Sequence, residues 1–166
     1  MAMHDELRSH ERHHGDRQIH EVVHDPYFER HKPQEPAVCP GCGVVYHHGH
    51  WQWTALPAGA QAHLCPACHR VRDEFPAGHV VLSGLFPAQH RDEILGLVRN
   101  EEARARTEHP LERIMRIAEA SGAITITTTD LHLPRRIGEA LQHAWKGELD
   151  LDYSPDEYRV RVHWRR

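Results

Sequence analysis

The sequence predicts an α+β protein in three parts: a disordered histidine-rich arm, a small four-cysteine unit, and an α/β sandwich with a mixed or antiparallel sheet. Three observations lead there. Residues 1–36 hold eight Asp/Glu, five Lys/Arg and seven His among few apolar side chains, too few to build a core. The four cysteines form two pairs, Cys39/Cys42 and Cys65/Cys68, each with two residues between, which favours a metal over disulfides. From residue 77 onward, stretches of period-two alternation interleave with stretches of helical period. The chain of 166 residues carries a formal charge of −4, so its length allows a modest core and any basic surface must be local. It has neither a run of eighteen apolar residues nor a charged-apolar-small start, and a cytoplasmic protein without a membrane partner is expected.

In the arm, "KPQEP" opposes helix and marks a linker. Its "HEVVH", His20 to His24, matches the zinc-protease helix pattern, with Glu21 as the base. Pro26 ends any helix almost at once and no core supports a rigid site, so the histidine-rich arm is the better reading. Residues 37–76 form the second part, in which the two cysteine pairs enclose "VVYHHGHWQW", hairpin material with Trp51 and Trp53 on one face. The "FPAG" that follows is short enough to let the second and third parts, 37–76 and 77–166, pack together.

The third part opens with "HVVLSG", a short strand, and "PAQHRDEILGLVRNEEARAR", where Ile94, Leu95, Leu97 and Val98 stand at helical spacing. "LERIMRIAEASG" reads as a second helix, with Leu111, Ile114, Met115 and Ala118 on one face and Gly122 as its stop. "AITITTTD" is a β-branched strand, and its closing Thr127 to Asp130 read as strand threonines plus a cap. The helix "LHLPRRIGEALQHAWKG" follows, capped by Asp130, with Pro134 tolerable only in its first turn. "ELDLDY" and "YRVRVHW" are alternating strands joined through the turn "SPDE".

Two knuckles separated by 22 residues fit a zinc ribbon, in which four thiolates close a tetrahedral site and leave no open position for substrate. The expected role is structural, with Cys39, Cys42, Cys65 and Cys68 as ligands; iron is the rival, because "CPGCGVVY" is like a rubredoxin knuckle. No phosphate-binding glycine loop, nucleophile elbow or nucleophile and base pair stands out, so a binding role is expected rather than an enzyme. Basic residues are concentrated late: Arg135 and Arg136 at a helix start, Arg159, Arg161 and Arg165 on one strand face at the sheet's edge, and Arg166 at the end. Arginines two apart on a strand recur at about 7 Å, near the phosphate spacing of one nucleic-acid strand. Trp51 and Trp53 add candidate stacking surfaces for unpaired bases. The bland alternatives are arginines paired with Asp150 and Asp152 on the neighbouring strand, and tryptophans in a ribbon core.

"EPAVCPGCGVVYHHGHWQW", "HLCPACHRVRDEFPAG", "HPLERI" and "ITITTTDLHLPRRIGEAL" together resemble the small bacterial relatives of the nonsense-mediated mRNA decay protein three family. Better-known members of that family carry cysteine-pair zinc ribbons and bind the large ribosomal subunit. Specific to the resemblance are the knuckles and the run Cys-x-x-Cys-x-Arg-x-x-Asp, Cys65 to Asp73; His50 and Pro134 depart from the family pattern. The resemblance implies zinc on the four cysteines and contact with the ribosome or ribosomal RNA. The expectation is therefore a zinc-ribbon RNA-binding protein that affects ribosome stability, maturation or dormancy. A protein–protein adaptor without nucleic acid is the alternative, and a rubredoxin-like iron carrier a further one.

Overall fold

A computed structural model describes residues 25–166, and the "HEVVH" of the arm lies outside them. The protein is α+β with two sheets, one small and one of five strands.

The small sheet belongs to the cysteine unit and has the order β3-β2-β1-β4, with β1 Ala37–Val38, β2 Val45–His47, β3 His50–Gln52 and β4 Gln61–Ala62. His48 and Gly49 turn β2 into β3 with φ of 51° and 82°, and the Glu35 carboxylate accepts both of their N–H groups at 2.9 Å. Helix α1, Pro66–Arg72, begins at the second cysteine pair. Residues 25–36, expected to belong to the arm, run along this unit. Asp25 and Tyr27 engage Arg70, and Glu29 pairs with His63, so their polar side chains find partners that composition alone does not reveal.

The large sheet has the order β6-β7-β5-β9-β8 and is mixed, since β5 (Gly78–Ser83) runs parallel to β9 (Arg159–Arg165) and antiparallel to β7 (Ala123–Thr128). The outer strands are β6, Ile114–Ala120, and β8, Glu148–Ser154. Helices α2 (Leu85–Gln89), α3 (Arg91–Glu108) and α4 (His132–Trp145) cover one face. Period two decides which strand residues they meet: Val80, Leu82, Ile124, Ile126, Val160, Val162 and Trp164 are buried under Ile94, Val98, Leu133, Ile137 and Leu141. Gly138 brings α4 close, since a Cβ there would lie 2.7 Å from Val162 Cγ1. The Asp130 carboxylate caps α4 by accepting from His132 and Leu133, and Pro134 sits in the first turn, as expected. A 3₁₀ turn over Pro155–Glu157 joins β8 to β9.

Two expectations are corrected. "LERIMRIAEASG" is not a helix: Ile114–Ala120 is an outer strand that pairs with β7 through a tight turn at Ser121 and Gly122. Met115 bulges between Ile114 and Arg116, and this extra residue breaks the alternation into spacings that mimic a helical face. The arginine strand is not at the sheet's edge either. β9 lies between β5 and β8 with its backbone paired on both sides, so its arginines present a face, not an edge.

Candidate metal centre and basic sheet face

The first knuckle is a tight loop: Gly43 N–H donates to the Cys39 carbonyl and Cys39 N–H to that of Val44, both at 2.9 Å. The second is the start of α1, where the Cys65 sulfur takes the capping position and accepts from Cys68 N–H at 3.3 Å. These two turns bring all four sulfurs within 4.8 Å of one another, with Cys42 Sγ and Cys65 Sγ 3.8 Å apart. None is in a disulfide. A tetrahedral ion with metal–sulfur bonds of about 2.3 Å requires sulfurs roughly 3.8 Å apart, so the residues fit one.

The local electrostatics act differently on these sulfurs. Burial pushes the Cys39 thiol up, but N–H groups of Cys65, Cys42 and Gly41 outweigh it and hold the thiol at about 7. Burial raises Cys42 and Cys65. Arg113 comes from outside the ribbon: its Nη2 donates to Cys68 Sγ at 3.2 Å and to Cys65 Sγ at 3.6 Å, and the residue is 9% exposed. Its guanidinium is held more firmly protonated than usual, since the sulfurs outweigh the cost of its burial. Among the described residues, the four cysteines are the one cluster of metal-ligating side chains.

The run Cys65 to Asp73 contains two residues to which the sequence alone assigns no role. Arg70, 2% exposed, pairs with Asp25 at 2.5 Å, donates to the Phe75 carbonyl at 3.0 Å and lies 4.4 Å from the centre of the Tyr27 ring. Asp73 accepts from the Tyr27 hydroxyl at 3.0 Å. Arg70 also faces Tyr158 of the large domain at 5.5 Å, so the pair joins residues 25–28, α1 and that domain.

The remaining candidates separate by environment. On the sheet face away from the helices, Arg159, Arg161, His163 and Arg165 form one column. Thr127 and His79 extend the row of Arg161 on one side, and Asp152 stands across from it on the other. Asp150 is opposite His163, and Glu148 approaches Arg165 at 3.8 Å, so β8 is an acidic flank, as the bland alternative anticipates. Arg159 is half-buried and bound to Glu157. Arg135 pairs with Glu139 along α4 at 2.8 Å, Arg136 is half-buried on the same helix, and Arg166 donates to the Trp145 carbonyl and stacks on Phe86. These three are not part of the arginine column. Trp51 packs in the ribbon core, edge-on to Tyr46, whereas Trp53 is 41% exposed and its Nε1 donates to the Arg106 carbonyl of α3 at 2.7 Å.

Sequence reasoning missed Arg113, and it missed Ser83 and His163, whose Oγ and Nε2 lie 2.8 Å apart across the open face. In both cases the partners are far apart along the chain: the pairing of β5 with β9 brings Ser83 to His163, and the packing of the ribbon on the large domain brings Arg113 to the cysteines. Thr128 and Thr129 are structural: Thr128 Oγ1 donates to the Asp130 carbonyl, and Thr129 Oγ1 donates to that of Leu111.

Fold and site together define an α+β protein with a four-cysteine, ribbon-like metal-binding unit. No family model, curated protein or solved structure matches the chain.

Proposed function

We propose that this protein is a zinc-ribbon RNA-binding protein of the cytoplasm, associated with the ribosome through ribosomal RNA and acting on ribosome stability, maturation or dormancy. The observation that carries the reading is the face of the large sheet away from its helices, where β9 presents Arg159, Arg161, His163 and Arg165 in one column that none of the described helices covers. Positions two apart on a strand stand about 7 Å apart, near the spacing of successive phosphates, with Arg161 and Arg165 two such steps apart on either side of His163, and each guanidinium can donate paired hydrogen bonds that lysine cannot. The carboxylates of β8 repel phosphate on one side, so the RNA backbone runs on the side of β5, over His79, Ser83 and Thr127. Zinc suits the site because the four sulfurs close the coordination shell and leave it a structural part. The resemblance to the messenger-RNA-decay family points the same way.

Binding to ribosomal RNA fragments across a salt series tests this. Arg161→Ala with Arg165→Ala should lower affinity for all sequences alike and reduce the salt slope by about 0.7 for each phosphate no longer neutralised. Unchanged low-salt affinity would leave the column merely solvent-facing. One observation favours the adaptor reading: a cleft of about 570 Å³ between ribbon and large domain, lined by Tyr27, Tyr46, Trp51, Pro110 and Leu111. A complex that survives nuclease would support that reading instead.

A further inference from the structure

We propose that Arg113 makes occupancy of the four-sulfur centre the condition for docking the ribbon on the large domain. The inference does not rest on RNA binding and holds for zinc or iron alike. Arg113 stands just before β6 and is fixed from both sides by Thr129: its N–H donates to Thr129 Oγ1 at 3.0 Å and its carbonyl accepts Thr129 N–H at 2.9 Å. From that rigid base the guanidinium reaches Cys68 and Cys65, which are 45 and 48 residues away in sequence. A buried guanidinium needs an anion, and removing the anion from a buried pair is strongly destabilising. Four thiolates around a divalent ion carry a net charge of −2, and Arg113 is the cation from the large domain that meets it.

That geometry depends on the ion. The sulfurs of Cys65 and Cys68 face Arg113 while α1 and the first knuckle are drawn to a common centre. The ribbon buries few apolar side chains, among the described residues Ala37, Cys39, Val44, Val45, Tyr46, Cys65 and Ala67, and Leu111 of the large domain packs against the cysteine cluster. So small a core draws its order from the metal. When the metal leaves, the sulfurs lose their common centre, Arg113 loses its anion, and the packing of Leu111 loosens with it. The cleft between the two parts then opens. Trp53 reports this directly, because its indole N–H bonds to the Arg106 carbonyl across the same junction.

The test uses the full chain loaded with zinc. Zinc transfer to a chromophoric chelator is timed for the natural protein, Arg113→Lys and Arg113→Met, and the Trp53 indole N–H resonance is followed before and after zinc is stripped. We expect Arg113→Met to release zinc about tenfold faster or more, with Arg113→Lys between. Stripping should move the Trp53 resonance while the amides of β5, β7 and β9 keep their positions. Equal release rates for the natural protein and Arg113→Met would overturn the proposal, as would a Trp53 resonance unmoved by stripping. Should Arg113→Met fail to fold, the release rate of Arg113→Lys against that of the natural protein takes its place, and equal rates would overturn the proposal.

Discussion

Gly41 shows how closely the metal centre is packed at the level of single atoms. A Cβ at this position would lie 2.9 Å from Cys68 Sγ and 3.3 Å from its Cβ, so the first knuckle approaches the second only because residue 41 has no side chain. Gly41→Ala should push Cys68 off its place and lower metal affinity; competition with a chelator of known strength should show a loss of about tenfold, and unchanged competition would mean that the knuckles can part freely. His79 is a second residue with a measurable signature. Burial and the nearby Arg161 and Arg159 keep its imidazole below the ordinary value of 6.5. The unfolded chain therefore takes up this proton first as pH falls, and stability declines from the ordinary histidine pKa downward toward the lower folded one. Urea unfolding of His79→Gln between about pH 7 and pH 5 should show a shallower decline than the natural protein. Parallel declines would mean that neither burial nor the arginine column holds His79 below its ordinary value.

The elements that are legible in the sequence are those whose side chains face one environment. α4 carries Leu133, Ile137 and Leu141 toward the sheet, and β9 alternates buried Val160, Val162 and Trp164 with its arginine side, so periodicity alone locates both. β6 is hidden from such a reading because an outer strand has half-buried residues on both sides and this one is bulged at Met115. Its turn carries the decisive evidence: Ser121 and Gly122 have φ of 52° and 76°, the pattern of a two-residue hairpin, where the sequence suggests a helix stop. Gly122→Val should destabilise the fold by about 1–2 kcal/mol in urea titration, since a branched side chain is strained in left-handed backbone; a change near zero would show that the hairpin tolerates another turn. The four clustered cysteines are readable because spacing alone defines a knuckle. Arg113 is not, as nothing local distinguishes it from the other arginines.

Across the described residues, ribbon and domain meet through Arg113 on the sulfurs, Arg70 between Tyr27 and Tyr158, Trp53 on α3 and Leu111 against the cysteine cluster. The sheet carries its helices on one face and its arginine column on the other. Among the described residues, no helix is long and apolar enough to cross a membrane. Association with the ribosome is tested most directly by sedimenting a cell lysate through a sucrose gradient, with and without ribonuclease, while following this protein. Co-migration with a ribosomal particle, lost on ribonuclease treatment, is the expected result. Sedimentation only as free protein, in growing and starved cells alike, would contradict the ribosomal role.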